Sequence, residues 1–355
     1  MLKTIGKFAI LLYLVEVLSY SSCGKNGGNG PGTPIDTTSS AKTFTNPVIN
    51  GADPWVYQKN GFYYYTHTLG NHIALWKTDA MSKLGTVTGT QIFTPGPGKP
   101  NTHNIWAPEL HYLNSKWYVY YTAGAGHDST QRLWVLENSS VDPTTGDWID
   151  KGRIYNAGSD FWAIDGSVFE HESSSYFLWS GRPDLTKQNQ NIYISKMTNP
   201  WTLEGPAVML TKPELPWEIN GPVNEGPEII KNKSGKVFLS YSASGCWTDE
   251  YAIGMLTLKD GGNPLVVSDW TKSQQPVFSK KPQNQAYGPG HNAFFTSPDS
   301  SENWIIYHAN SNSGDGCTNK RNIRIQKFSW NADGTPHFGE PAPVGVALKV
   351  PSGED

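Results

Sequence analysis

From Asp53 onward the chain runs through one pattern five times: a turn carrying a polar residue, then three strand-like segments. The copies open with "GADPWVYQKNGFYYYTHT", "WAPELHYLNSKWYVYYTAG", "AIDGSVFEHESSSYFLWSG", "NEGPEIIKNKSGKVFLSYSASG" and "GPGHNAFFTSPDSSENWIIYHAN". Each continues into a third segment such as "RLWVLEN" or "NIRIQKF", and linking stretches such as "DWIDKGRIYN" and "WTLEGPAVML" supply a fourth, outer strand. The positions of Asp53, Glu109, Asp165, Glu225 and His291 recur at intervals of about 56 to 66 residues, a little longer than common propeller blades of four short strands. Five such units predict an all-β chain, a five-bladed β-propeller over residues 43–350. A β-sandwich is the competing fold, but it does not explain why the whole order of turn and strands recurs.

Composition agrees where it bears on this. The 14 Trp, 17 Tyr and 13 Phe, set among 36 Gly and 25 Pro, describe short aromatic strands joined by tight turns. A formal net charge of -3, a charged fraction of 17% and no basic patch exclude a nucleic-acid partner. A monomer is expected.

The first residues follow a different logic. Lys3 and Lys7 precede the apolar stretch "FAILLYLVEVL" and then "SYSSC", so residues 1–23 resemble a bacterial lipoprotein signal with Cys23 as the acylated residue. That places the protein in the periplasm or on the cell surface, with membrane attachment only through lipid. A cleaved secretory signal is the alternative, and the stretch is too short to span a bilayer. Residues 24–42, rich in Gly, Ser and Thr, have almost nothing to bury and read as a flexible tether. If Cys23 carries lipid, Cys246 and Cys317 remain as an even pair in a disulfide-permissive compartment. Spacing alone leaves open whether they are bonded or are two free thiols.

In a propeller the first strand of each blade is innermost, so equivalent positions converge on one ring around the channel. Aligning the prolines of "APEL" and "GPEI" pairs Glu109 with Glu228 and both with Trp55 of "DPWV". Asp53, Asp165 and Glu225 then fall one or two places earlier, at the channel mouth. Taken singly, "ADP", "IDG" and "NEG" are ordinary turn sequences. Three carboxylates in one funnel are another matter: they cannot all ionise cheaply, so at least one pKa must rise, which is how an acid and a base arise from similar groups. Trp55, Trp106 and Trp162 lie within three residues of these acids. They can serve as platforms for sugar rings or as packing between blades.

Together "NPVINGADPWVY", "WAPELHYLNSKWYVYYTA", "WAIDGSVF", "NEGPEI" and "GPGHNAFF" resemble glycoside hydrolase family 43, five-bladed propellers that include α-L-arabinofuranosidases, arabinanases and β-xylosidases. The resemblance covers roughly residues 45 to 345. It implies Asp53 as general base, Asp165 as the acid that orients and tunes its partner, and Glu225 as general acid of an inverting hydrolysis. Trp55, His67, Trp106, Glu109, Trp162, His291 and Arg321 are the substrate-binding set it suggests, with Arg321 near the base and Arg324 more consistent with a surface position. His291 matches a histidine that in several members ligates a channel cation, so a structural calcium held partly through water is one reading of it and a satisfied hydrogen-bond partner the other; the chemistry needs no cofactor.

The substrate implied is a plant cell-wall oligo- or polysaccharide. "HTLGNHIALWKT" and "SASGCWTDEYAIGMLT" look more like the arabinofuranosidase and exo-arabinanase members, and no further β-sandwich stretch follows the fifth repeat. A β-xylosidase, β-galactofuranosidase or endo-arabinanase remains open. So does a sugar-binding propeller without catalysis, which would need the Trp residues but not the acids. Related propellers acting on fructosides retain configuration, and their motifs differ from these.

Overall fold

The structure is a computed structural model that describes residues 42–354. The expected signal at 1–23, its Cys23, and the tether up to residue 41 lie outside the described residues. The folded part takes in slightly more than expected: Lys42 O accepts from Val350 N–H, and Glu354 accepts from the Met81 amide at 2.7 Å.

Five antiparallel sheets follow the five repeats. Blade 1 comprises Trp55–Lys59, Phe62–Thr66, Ile73–Thr78 and Thr90–Phe93, and blade 2 His103–Leu113, Lys116–Gly124, Arg132–Asn138 and Ile149–Arg153. Blade 3 comprises Trp162–His171, Ser174–Arg182, Asn191–Asn199 and Thr202–Thr211, and blade 4 Asn224–Lys231, Val237–Ala243, Ala252–Leu258 and Trp270–Lys272. Blade 5 has Tyr287–Thr296, Asn303–Asn310 and Asn322–Trp330. Its next strand is borrowed from the start of the domain, where Ile49–Asn50 pairs with Ile323 and Asn322. Helical structure among the described residues is limited to four short 3₁₀ turns.

The second strand of each blade reads as a nearly unbroken apolar run, and the packing explains why. A blade is covered on both faces by its neighbours, so alternate side chains enter different cores. In Lys116–Gly124, Trp117, Val119 and Tyr121 join the core shared with blades 1 and 5, while Tyr118 and Tyr120 enter the core shared with blade 3. Likewise Trp304 and Ile306 face one side of blade 5, and Ile305 and Tyr307 the other. Such strands have no polar face to alternate with, so interior packing holds the blades around the axis.

Candidate active site

Each inner strand enters the channel through the same irregularity. Asp53, Ala107, Asp165, Gly226 and His291 all have positive φ, between 41° and 57°. In blades 2 to 5 strand pairing skips at this point, as between Glu225 and Glu228, which marks a β-bulge. A left-handed non-glycine residue costs on the order of 1 kcal/mol or more, and the surroundings must hold it there. Side chains of the preceding blade do so. Thr68 Oγ1 accepts from the Ala107 amide at 2.8 Å, Thr122 Oγ1 from Asp165 at 3.1 Å, Ser242 Oγ from His291 at 2.7 Å and His308 Nδ1 from Asp53 at 3.1 Å. At the fourth blade the carboxylate takes over: Asp165 Oδ2 accepts from the Gly226 amide at 3.0 Å.

This geometry refines the sequence phase. Asp53 and Asp165 occupy the left-handed position itself, Glu225 is one residue before it, and Glu109 and Glu228 are two residues beyond it. Glu109 is buried, 3.0 Å from His111 Nε2, and burial and then Glu228 push its pKa well up.

A funnel of about 610 Å³ opens over this ring, and Asp53, Trp106, Trp162, Asp165, Glu225, His291 and Arg321 line it. This volume suits a small sugar. Three of the expected binding residues are elsewhere. Trp55 is in the core, where its indole N–H donates to Leu110 O at 2.8 Å and its ring lies against His111. His67 is buried and stacked on Trp76, and Glu109 does not reach the funnel. Arg324, expected at the surface, is fully buried and bonds to backbone carbonyls of Gln285 and Asn310.

Asp53 is surrounded by nitrogen. Its Oδ1 lies 3.2 Å from Arg321 Nη1, 3.3 Å from His308 Nδ1 and 3.4 Å from His291 Nδ1, and its Oδ2 accepts from the Thr68 hydroxyl at 2.7 Å. Burial opposes ionisation here, but Arg321, then His291 and His308, hold the carboxyl well below the usual range. Glu225 is the opposite case. Burial raises it to about 7; Tyr251, donating to Oε1 at 2.8 Å, pulls against the rise, and the Asp53 charge adds to it. Gln190 reaches Oε2 at 3.3 Å. Asp165 is also pushed up, by burial first and then by Glu225 and Asp53. At neutral pH the funnel therefore contains an ionised carboxylate and a carboxyl poised to give up a proton.

Among the described residues no group of three or more His, Cys, Asp or Glu is arranged to hold a metal ion. The calcium reading is therefore not supported, and His291 faces Asp53 instead. Cys246 and Cys317 form a disulfide at the funnel wall, with Cα atoms 5.3 Å apart. It joins the loop bearing Trp247 to the loop bearing Arg321. Trp247, Thr68, Gln190, Tyr251 and His308 all contribute to the site but were missed in the sequence. A signal did exist: Thr68, Thr122, Ser180, Ser242 and His308 recur at one phase of the second strands, with His replacing a hydroxyl residue only in blade 5.

Comparison with known proteins decides the family. Residues 44–336 match the sequence profile of glycosyl hydrolases family 43. The chain belongs to that family. It is 40% identical over 329 residues to an extracellular exo-α-(1→5)-L-arabinofuranosidase of Streptomyces avermitilis, covering 89% of this chain and 68% of the relative. It is 35% identical over 328 residues to α-L-arabinofuranosidase 43 of Humicola insolens, covering 88% and 67%. The crystal structure of an α-L-arabinofuranosidase from Lactobacillus brevis superposes with a TM-score of 0.80 at 35% identity, covering 85% of this chain and 98% of that one.

Proposed function

We propose that the protein is an exported, exo-acting α-L-arabinofuranosidase that removes arabinofuranosyl units from arabinan or arabinoxylan-type plant polysaccharides. The observation that carries this reading is the opposite electrostatic tuning of Asp53 and Glu225 within one sugar-sized funnel. The names of its relatives support the sugar and the exo mode. They also support export, and attachment through a lipidated Cys23 is part of the same proposal.

In this mechanism Glu225 protonates the departing glycosidic oxygen while Asp53 takes a proton from water attacking the opposite face of the sugar, with inversion. Arg321 and Thr68 keep Asp53 ionised and aimed. Asp165 supports the acid from below by holding the Gly226 amide, which fixes the backbone that carries Glu225.

Aryl α-L-arabinofuranoside, β-D-xyloside and β-D-galactofuranoside are the substrates to compare, with the product anomer followed by NMR. Hydrolysis of the arabinofuranoside with initial inversion is expected; initial retention would remove Asp53 from the role of base. Glu225→Ala should lose orders of magnitude on arabino-oligosaccharides and much less on an activated aryl glycoside, because a good leaving group scarcely needs the proton. Equal loss on both would reassign the acid.

A further inference from the structure

We infer that Tyr251 is a positioning residue for the acid, occupying one oxygen of Glu225 so that the transferable proton resides on the other. The inference rests on the assignment of Glu225 as general acid. Tyr251 begins the turn into the third strand of blade 4 and is 1% exposed. Its hydroxyl donates to Glu225 Oε1 at 2.8 Å, the shorter of the two side-chain contacts to that carboxyl.

The direction of this hydrogen bond is set from behind. The His291 amide donates to Ser242 Oγ at 2.7 Å, which leaves the Ser242 proton available to the Tyr251 oxygen, a contact that opposes the burial-driven rise of the Tyr251 pKa. The Tyr251 proton then points at Glu225. A chain of this kind, starting at a backbone N–H that cannot reverse, favours this polarity, because every donor along it then has an acceptor. Because Oε1 is committed to accepting, a proton on Glu225 sits on Oε2.

The ring is also fixed in place. It stacks on His308 with centroids 5.6 Å apart and planes inclined by 7°. On another side it lies against the backbone of the blade 5 inner strand at Gly290, where an added Cβ would come within 2.3 Å of Tyr251 Cε1 and 2.9 Å of Ser242 Oγ. No side chain other than hydrogen fits there. His308 in turn holds the Asp53 amide, so one stacked pair connects the mounts of base and acid.

The charged and titratable groups around Glu225 are Asp165 from blade 3, Asp53 from blade 1, and Arg321, His291 and His308 from blade 5. All of them remain in Tyr251→Phe, which keeps the ring and its stacking and deletes one donor. A hydrogen bond donated to a carboxylate favours the charged form, so its loss must raise the acid's pKa.

The test is the pH dependence of kcat/KM for Tyr251→Phe, Ser242→Ala and the unaltered enzyme, on an arabino-oligosaccharide and on an aryl arabinofuranoside. In Tyr251→Phe the alkaline limb is expected to move up by roughly one pH unit, with about a tenfold loss of kcat on the oligosaccharide and little change on the aryl substrate. Ser242→Ala should shift the limb in the same direction by less. An unmoved or lowered alkaline limb in both variants overturns the inference, as does an equal loss on both substrates. Glu225→Gln run alongside keeps the two ideas separate: if it too fails to discriminate between leaving groups, the assignment of the acid is at fault rather than the role of Tyr251.

Discussion

Two carboxyls of almost the same intrinsic acidity share a funnel, and their neighbours pull them apart. In the proposed mechanism Asp53 acts ionised and Glu225 protonated, so activity should rise through the low pKa of Asp53, hold through the acid range and fall as pH passes about 7. Arg321 lowers both groups, and it is the largest influence favouring ionised Asp53. Arg321→Met should therefore shift the acid limb of the kcat/KM profile to higher pH, the alkaline limb moving the same way. A profile whose acid limb stayed in place would mean that the guanidinium does not tune the base. At this scale the sequence revealed the acids, because turn sequences at one repeat phase stand out. Tyr251 was illegible because nothing local in "TDEYAIG" announces its partner, whereas Thr68 and His308 stand out only when the five repeats are set against one another.

The loops that rim the funnel are where strands end and specificity begins. Trp247 is 53% exposed, yet its ring is seated on backbone: a Cβ at Gly245 would lie 2.3 Å from it and one at Gly221 2.5 Å. With one face against glycine and the other open to the funnel, it is a fixed aromatic platform next to the disulfide. Stacking of this kind contributes about 1 kcal/mol. Trp247→Ala should raise KM for arabino-oligosaccharides about fivefold and leave the aryl glycoside within about twofold. Equal KM changes on both would place Trp247 against the terminal sugar instead. The strands themselves were readable, since runs such as "WYVYYTA" have only one place in a propeller. The outer strand of blade 5 was not, because two residues, Ile49 and Asn50, carry no periodicity and acquire their role only by pairing with Asn322 and Ile323. Likewise the aromatic residues near the acids could not be sorted by sequence into pocket and core, since Trp106, one place before the left-handed residue of its strand, is at the mouth, and Trp55, two places beyond that of its own, is within.

The five blades form a ring fastened at one seam, and Asn46 is part of the fastening. Its side-chain amide donates to Ile325 O at 2.8 Å and its carbonyl accepts from Ile325 N–H at 3.0 Å, continuing the pairing of the third strand of blade 5 with a side chain in place of backbone. All of these groups are buried. Asn46→Ala strands two backbone groups at a cost of about 2–5 kcal/mol, and a melting temperature several degrees lower is expected by calorimetry. An unchanged melting temperature would mean that the seam carries little of the stability. The His308 bond to the Asp53 amide crosses this same junction, between the last blade and the first. The proposed base is thus mounted on the clasp of the ring rather than within any one segment of it. Turnover then doubles as a gauge of closure: a molecule whose ends have parted can keep blades 1 to 4 and the other strands of blade 5 and still be inert, so loss of activity on warming should precede loss of most β-structure.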